Sequence, residues 1–202
     1  MKLYGSTTSP YVRRIRLYLA MLADKNKTDS LYQFVNMDIF SEAGRAQLLA
    51  DNPTLKVPYL VDAEQNIFDS RVIFRYLNKK HSQPELSWRE ENLLTVIDAV
   101  NDSLVSLFLI KRSGLDNTQD YLFFNLQNER AATIISQLNT EVLNGNFEVW
   151  DYPTICLFCL LDWASLRELF PFDEFPALTK LMQKYKEQEN LSSAVKETDP
   201  RN

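Results

Sequence analysis

Four hydroxyl side chains precede a helix-forming segment near the start of the chain. They are Ser6, Thr7, Thr8 and Ser9. Ser9 is followed by Pro10, and serine before proline is a favoured beginning of a helix. The same geometry has a chemical use, because a helix N-terminus carries free N–H groups and about half a positive charge. A serine hydroxyl there could donate a hydrogen bond to a thiolate and lower the pKa of the thiol. The local sequence leaves both roles open.

Two further residue pairs suit ligand binding. Val57-Pro58 lies between a helical segment and a hairpin, where proline either begins an edge strand or takes the cis form. Asp69-Ser70 precedes another helical segment, so either residue can cap that helix. A helix start with a hydroxyl also suits a carboxylate, and Asp69 beside it could hold an amine. A site that did both would recognise the head group of an amino acid.

Other reactive residue types point away from metal and hydrolytic chemistry. Cys156 and Cys159 have C-x-x-C spacing but lie inside an apolar run, whereas a redox dithiol follows a strand and opens a helix. We therefore predict that both cysteines belong to the core. His81 is the only histidine and is expected at the surface. A zinc site would lack ligands, and Ser–His or Cys–His arrangements are disfavoured.

The spacing of apolar residues predicts the elements that position these candidates. Strands are predicted over 2–4, 31–35, 57–61 and 67–68, and helices over 10–23, 41–49 and 71–78, which is an α/β pattern. Beyond a polar segment only helices are predicted, over 88–111, 119–142, 153–167 and 177–188. We therefore predict an α/β domain over 1–79, a linker over 80–87 and an all-α domain over 88–202. The tail after Asn190 is expected to fray. A solvated helix face is expected for Arg13, Arg14 and Arg16.

Composition excludes several classes of function. The chain has 202 residues, 45% of them hydrophobic, which is enough for a full core. Residues 1–80 hold twelve Lys and Arg against eight Asp and Glu, which favours a small anionic ligand, whereas residues 81–202 hold ten against nineteen. Basic runs with interleaved aromatics, typical of nucleic-acid binding, are absent from the sequence. The longest apolar run, over 155–161, is too short to span a bilayer, and residues 1–4 lack a signal-peptide stretch, so we expect a cytoplasmic protein with no membrane partner.

Three segments, in order, resemble the glutathione transferase superfamily, and the likeness extends over nearly the whole chain. "MKLYGSTTSPYVRRIRL" resembles that family's first strand and helix, "NPTLKVPYLVD" its N-P-x-x-x-V-P-x-L segment, and "IFDSRVIFRYL" its (E/Q/D)-S-x-x-I-x-x-Y-L segment. The likeness is strongest to bacterial serine-type members with S-P-(Y/F)-V-R and D-S-R-V-I. It implies a thioredoxin-like N-terminal domain, an all-α helical-bundle C-terminal domain, and glutathione as co-substrate without a metal.

The resemblance also implies which residue activates the thiol. Thioredoxins and glutaredoxins carry C-P-Y-C where this chain has Ser9-Pro10-Tyr11-Val12. Serine cannot form a mixed disulfide, so thiol–disulfide exchange is disfavoured. In serine-type members the matching serine donates to the glutathione thiolate, which implies that Ser9 is the activating residue. Ser6 and Thr7 are alternates, because some classes use a hydroxyl slightly earlier in the chain.

The rest of the glutathione site follows from the same resemblance. Val57 would pair its backbone with the cysteinyl residue, and a cis Pro58 would fix that strand edge. Asp69 and Ser70 would hold the γ-glutamyl end, although many members have Glu or Gln where Asp69 stands. Lys56 would meet the glycyl carboxylate.

The helical domain of the family normally supplies the electrophile pocket. The predicted pocket residues are Tyr11, Leu104, Leu107, Phe108 and Lys111. Bundle core is the alternative for those on the first helix of the domain. The resemblance further implies a homodimer, formed through the helix after Asp69 and the first helix of the helical domain.

Three functions fit this sequence. The first is a glutathione transferase that joins the thiolate to a small hydrophobic electrophile, as in detoxification. The second is a glutathione-dependent peroxidase or dehalogenase on the same scaffold. The third is a non-catalytic binding protein similar to stringent starvation protein A. The set formed by Ser9, Val57-Pro58 and Asp69-Ser70 argues against the third, because such a set serves glutathione.

Overall fold

The structure is a computed structural model that describes residues 1–202, apart from the side chain of Ser192. Its contacts divide the chain into two units. The sheet unit comprises residues 1–85 and 189–202, and the helical unit comprises residues 86–188. In the sheet unit the elements are β1 Lys2–Gly5, α1 Pro10–Asn26, β2 Gln33–Asn36, α2 Glu42–Asp51, β3 Tyr59–Asp62, β4 Gln65–Phe68, α3 Ser70–Lys80 and α8 Glu189–Glu197. In the helical unit they are α4 Trp88–Arg112, α5 Leu122–Leu143, α6 Tyr152–Leu166 and α7 Pro176–Glu187.

The sheet of the first unit has the strand order β2-β1-β3-β4. β1 pairs parallel with β2 and antiparallel with β3, and β3 pairs antiparallel with β4. α1 and α3 pack against each other, and the Tyr18 hydroxyl of α1 donates to Asn78 Oδ1 of α3 at 2.5 Å. Burial raises the pKa of Tyr18 to about 12, so this hydroxyl stays protonated as the donor at neutral pH. A Cβ at Gly5 would collide with Val12, so glycine lets the end of β1 approach α1 closely.

The helical unit is a bundle in which α4 packs on α5 and α6, and α7 packs on α5 and α6. A capping box begins α4, in which Ser87 Oγ accepts from the Glu90 N–H and Glu90 Oε2 accepts from the Ser87 N–H. α4 is long and apolar enough to cross a membrane by length and composition alone, a test that core helices of other proteins also meet, and it packs against α5 and α6. α6 is apolar on all sides and almost wholly buried. Cys156 and Cys159 are buried in it and form no disulfide among the described residues, which confirms the core prediction.

The end of the chain departs from the sequence-based expectation. Residues 189–202 were predicted to belong to the helical domain, with the tail after Asn190 frayed. Instead they pack with the sheet unit and contain α8. Val195 and Thr198 are buried, and α8 contacts α1. Side chains from α1 make this attachment, so a polar tail finds its partners only in the folded sheet unit.

The predicted solvated face of α1 is therefore wrong. Arg13 and Arg14 are each 2% exposed, and Arg16 is also buried. Arg13 Nη2 donates to the Val195 carbonyl at 3.2 Å, and Arg16 Nη2 donates to the Glu197 carbonyl at 3.4 Å. These carbonyls lie in the last turn of α8, where backbone acceptors lack helical partners and carry partial negative charge. Tertiary contact with α8 buries arginines that helical periodicity had placed on the outside.

Candidate functional site

The candidate site lies at one end of the sheet. β1 ends at Gly5 and leads into the hydroxyl loop, which we define as residues 6–9. β3 begins at Tyr59, directly after Val57-Pro58, and Tyr59 pairs with Tyr4 near the end of β1. Neighbouring strands lie about 4.8 Å apart. The register therefore places the hydroxyl loop and Val57-Pro58 side by side.

The third motif reaches the same end of the sheet through β4. Phe68, the last residue of β4, pairs with Tyr59, and Asp69-Ser70 follow at once. The carboxyl ends of β1 and β4 and the amino end of β3 thus meet at one edge. The helices that begin there, α1 and α3, direct their N-termini to the same edge. The hydroxyl loop and Asp69-Ser70, about sixty residues apart in the chain, therefore belong to one candidate site.

Ser9 confirms the predicted helix cap. Its backbone is extended (φ −86°, ψ 126°), Pro10 occupies the first turn, and Ser9 Oγ accepts from the Val12 N–H at 3.4 Å. A hydroxyl has one proton and two acceptor lone pairs, so capping uses an acceptor and spares the proton. Among the described residues, none accepts a hydrogen bond from this hydroxyl. Ser9 can therefore cap α1 and donate to an anion at the same time.

Two of the other hydroxyls of the loop, those of Ser6 and Thr8, pair with each other. Ser6 Oγ and Thr8 Oγ1 lie 3.0 Å apart as a hydrogen-bonded pair, and the Ser6 carbonyl accepts from the Ser9 N–H at 3.1 Å. The Thr7 N–H donates to Asn36 Oδ1 at the end of β2, at 3.2 Å. These bonds shape the loop that presents Ser9. The alternate roles predicted for Ser6 and Thr7 stay predictions.

The segment before β3 is organised by a residue that sequence reasoning overlooked. Asn52 is buried, its Nδ2 donates to the Lys56 carbonyl at 2.7 Å, and its Oδ1 accepts from the N–H and hydroxyl of Thr54 at 2.9 and 2.8 Å. The Val57–Pro58 peptide bond is cis, as the resemblance implied. The N-P step of the quoted motif was the available signal for Asn52. Its amide closes the loop that delivers Val57.

Val57 offers backbone groups to a ligand. Its side chain packs on the small core of Met37, Leu48 and Tyr59. No backbone–backbone hydrogen bond outside the strands and helices involves its N–H or carbonyl among the described residues. Such groups can pair with an extended peptide, as a strand edge does. Lys56 beside it is exposed, and its side chain is available to an anion.

Asp69 caps α3 with a charged group. Its Oδ1 accepts from the Arg71 N–H at 2.8 Å and the Val72 N–H at 3.4 Å, and its backbone has φ 71° and ψ 136°. This conformation is rare for a residue with a side chain, and such strain, worth about 1–3 kcal/mol, clusters at binding sites. The Asp69 side chain is exposed, so its carboxylate could meet an amine. The next residue, Ser70, is 4% exposed.

Next to the site, one aromatic side chain of β1 packs on one of β3. The rings of Tyr4 and Tyr59 stack with centroids 4.5 Å apart. The Tyr59 hydroxyl donates to Asp51 Oδ2 at 3.0 Å. Burial, with a smaller contribution from Asp51, raises the pKa of Tyr59 well above its usual range. Tyr59 is therefore a fixed structural donor and does not ionise at neutral pH.

The residues predicted for the electrophile pocket differ in their surroundings. Tyr11 belongs to the sheet unit, and the Arg14 guanidinium lies 4.7 Å from its ring centroid. Leu104 and Leu107 are buried in the helical bundle, as the core alternative stated. Phe108 and Lys111 line a cavity at the end of α4. Only these last two of the four α4 residues are placed to touch a ligand there.

The remaining candidates lie apart from the site. His81 follows α3 at the end remote from Asp69, and burial, with Lys80 nearby, lowers its pKa. Across the part of the chain that the structure describes, no group of three His, Cys, Asp or Glu side chains could hold a metal ion.

The chain is similar in sequence to proteins described as glutathione S-transferases or as similar to them. Residues 3–85 match the family model described as "Glutathione S-transferase, N-terminal domain". The chain is 28% identical over 197 residues to the "Uncharacterized GST-like protein YibF" of Escherichia coli (strain K12), covering 91% of this chain and 92% of that one. It is also 28% identical over 175 residues to Glutathione S-transferase 4 of Zea mays, covering 85% and 74%.

A solved structure extends the likeness to the whole fold. A glutathione transferase family member from Pseudomonas fluorescens Pf-5 with bound glutathione superposes with a TM-score of 0.75 at 23% identity, covering 96% of this chain and 97% of that one. The fold is therefore that of the glutathione S-transferases, with a thioredoxin-like sheet domain and a helical part, which confirms the predicted fold class. Residues 3–85 are therefore similar to the glutathione S-transferase N-terminal domain, and the chain as a whole is similar in fold to the proteins of that name.

Proposed function

We propose that the protein is a serine-type glutathione transferase, which stabilises the glutathione thiolate and conjugates it to a small hydrophobic electrophile. One observation carries this proposal. The N-terminus of α1 holds a capping serine whose hydroxyl proton is unused among the described residues, beside the backbone of Val57 at the same sheet edge. The match to glutathione S-transferases over residues 3–85 supports glutathione as the ligand.

In the proposed complex each part of glutathione meets a different segment. The cysteinyl backbone pairs with the N–H and carbonyl of Val57. The γ-glutamyl amine lies against the carboxylate of Asp69, and its carboxylate accepts from Ser70. Lys56 meets the glycyl carboxylate. These contacts place the sulfur at the N-terminus of α1, within reach of the Ser9 hydroxyl.

The proposed chemistry needs little proton transfer by the protein. The positive end of α1 and the hydrogen bond from Ser9 favour the thiolate over the thiol, and the thiol proton leaves to solvent. The sulfur lone pair then forms a bond to the electrophilic carbon, and the leaving group departs with its bonding electrons. Holding both reactants close supplies much of the remaining acceleration.

The direct test is the pKa of the bound thiol. We expect titration of the thiolate absorbance to place it below the ordinary value of about 8.5. In Ser9→Ala the pKa should rise and conjugation should slow, with glutathione affinity nearly kept. Ser6→Ala and Thr7→Ala serve as matched controls, since each also removes one loop hydroxyl.

The same titration can contradict the proposal. An equal thiol pKa in wild type and Ser9→Ala would remove Ser9 as the activator, and a rise of the thiol pKa in Thr7→Ala or Ser6→Ala alone would transfer the role to that alternate. A panel of peroxides and halogenated substrates separates the transferase from a peroxidase or dehalogenase. A folded protein that is not retained on immobilised glutathione would favour the non-catalytic reading.

We also propose a cytoplasmic homodimer formed through α3 and α4. Exposed apolar side chains on these helices support it: Val72 on α3 is 49% exposed, and Trp88 at the start of α4 is 86% exposed. Burial of such side chains favours association. Light scattering should give twice the monomer mass, and Trp88→Ser with Val72→Ser should shift it toward the monomer.

A further inference from the structure

We propose that a cavity of the helical unit binds aromatic anions, meaning a ring that carries a carboxylate or sulfonate. The cavity lies where α4 and α6 end and measures about 450 Å³. It is lined by Phe108, Lys111, Arg112, Leu166, Arg167 and Glu168. That volume is within the range of small-molecule sites. We name it the α4–α6 cavity. That its ligand is the electrophile rests on the function proposed above, whereas the binding itself does not.

The apolar side of the cavity suits an aromatic ring. Phe108 meets Trp163 edge to face, with ring centroids 5.8 Å apart, and Trp163 is itself buried. The pair fixes the Phe108 ring, so the ligand pays little ordering cost on that side. Leu166 adds aliphatic surface. A flat ring can therefore stack or pack edge-on against a surface that is already in place.

The polar side of the cavity is cationic, in contrast to the unit around it. The helical unit holds eight Lys and Arg against fifteen Asp and Glu, yet three of those eight cations line this one cavity beside a single carboxylate, Glu168. The Arg167 guanidinium lies over the Phe108 ring at 5.1 Å from its centroid. A ring and a cation are thus presented together, which is the arrangement that an aromatic acid complements.

One group at the cavity also lacks an acceptor. Arg167 Nε is buried, and no described residue accepts a hydrogen bond from it. Buried donors are nearly always satisfied, by protein, water or ligand. Lys111, in the last turn of α4, is exposed on the same cavity. A carboxylate bound here would have a guanidinium and an ammonium within the reach of one ligand.

The competing explanation is that these cations only neutralise helix ends. Lys111 and Arg112 lie in the last turn of α4, and Arg167 caps the end of α6, where each helix carries about half a negative charge. The helix ends and Glu168 can account for the charge of these cations, but they supply no acceptor to the buried Arg167 Nε. The two explanations differ in whether the cations contribute to ligand affinity.

The experiment compares two molecules of one shape, chloronitrobenzoate and chloronitrobenzamide with the same substitution pattern. Calorimetry on the full chain without glutathione measures their affinities directly. We expect the benzoate to bind at least about fivefold more tightly than the benzamide, a factor typical of one exposed ion pair. The preference should shrink as salt is raised. Conjugation of the same pair with glutathione then tests whether the ligand is the electrophile.

Substitutions identify the cations responsible. Lys111→Gln changes an exposed side chain, so folding should be kept, and benzoate affinity should fall about threefold to fivefold with benzamide affinity unchanged. Arg167→Gln should do the same, and Arg167→Lys should restore part of the loss. Lys180→Gln is the matched control, because Lys180 is an exposed lysine of the same unit outside the cavity.

Each outcome either supports or overturns the proposal that the α4–α6 cavity binds aromatic anions. Equal affinities for benzoate and benzamide, or benzoate affinity unchanged in both Lys111→Gln and Arg167→Gln, would overturn the proposal and leave the cations as helix-end neutralisers. If the benzoate binds but glutathione does not, the cavity stands and the transferase function fails. If glutathione binds and is conjugated to other electrophiles without any preference for the acid, the transferase stands and the cavity proposal fails.

Discussion

The two helices that begin at the site end of the sheet are capped in opposite ways. α1 is capped by neutral Ser9 in an ordinary extended conformation, and α3 is capped by charged Asp69 at a positive φ. The carboxylate of Asp69 offsets the positive end of α3, whereas nothing charged offsets the end of α1 in its own cap. The two N-termini, alike in sequence pattern, are therefore prepared for charges of opposite sign. An anion such as a thiolate suits α1, and a cation such as an amine suits the cap of α3.

Making the α1 cap resemble the α3 cap should give the largest effect. Ser9→Asp keeps a good N-cap, so the free energy of unfolding should change by less than about 1 kcal/mol. Its carboxylate would repel a thiolate and raise the thiol pKa, so kcat/KM for conjugation should fall on the order of 100-fold or more. Ser9→Asn is the matched neutral control. Conjugation kinetics with urea unfolding checks both expectations, and full activity in Ser9→Asp would contradict the charge argument.

A second difference lies in what holds the two helices, because in the contacts of the described residues α1 packs on α8, whereas α3 packs on β3 and β4. Arg13→Ala removes a buried guanidinium that donates to the Val195 carbonyl and to Thr198 Oγ1, at 3.2 and 3.4 Å. We expect a loss of about 2–4 kcal/mol in the free energy of unfolding. The exposed Lys79 of α3 provides the control, since Lys79→Ala should cost less than about 0.5 kcal/mol.

The same change should expose the end of the chain. With Arg13→Ala, limited proteolysis should remove residues 189–202 faster than in wild type. Arg13→Lys keeps the charge but loses the planar set of guanidinium N–H donors, so its rate of proteolysis should lie between those of wild type and Arg13→Ala. If proteolysis removed residues 189–202 equally slowly in Arg13→Ala and in wild type, the apolar contacts of Val195 would suffice to hold α8.

Neutralising the α3 cap should affect ligand affinity more than folding. Asp69→Asn keeps a capping oxygen, and asparagine tolerates positive φ, so stability should be nearly unchanged. The attraction for an amine is lost, and glutathione affinity should fall about tenfold by calorimetry, with the bound thiol pKa unaffected. A changed thiol pKa with unchanged affinity would reverse the assignment of charges to the two caps.

The smallest effect is expected at the other end of α3, where Asp62 of β3 accepts from Lys80 and Tyr76 of that helix. The hydrogen bond from Lys80, followed by that from Tyr76, holds the pKa of Asp62 below its ordinary value of 3.8. A lowered folded-state pKa contributes stability above the unfolded value and loses it as the pH falls through the folded one. Asp62→Asn should therefore cost about 1 kcal/mol at pH 7, and less below about pH 4.

Thermal unfolding across that pH range tests the Asp62 expectation. The difference in the free energy of unfolding between wild type and Asp62→Asn should become smaller at acidic pH. If the difference in the free energy of unfolding stayed constant with pH, the hydrogen bonds of Asp62 would stabilise the fold through their geometry and not through the charge of the carboxylate.

The sequence by itself determined the local elements and the identity of the motifs. Ser9-Pro10 predicted the beginning of α1, because capping depends on a few neighbouring residues. Apolar spacing predicted the α/β order and the helical remainder, and the ICLFCLL run predicted a buried helix with core cysteines. The quoted motifs indicated the fold, since three ordered segments are far more specific than any one.

Only the tertiary structure decided which residues meet. Strand register joins the hydroxyl loop, Val57 and Asp69 at one sheet edge, and Asn52 acquires its role only once the loop before β3 has closed around it. Burial of Arg13 and Arg16 depends on α8, which lies more than 170 residues away in the chain. No local sequence pattern could therefore have predicted this burial. Helical periodicity reports which side of a helix is polar. It does not report that a later segment will supply backbone carbonyls to satisfy that side, because such partners exist only after folding.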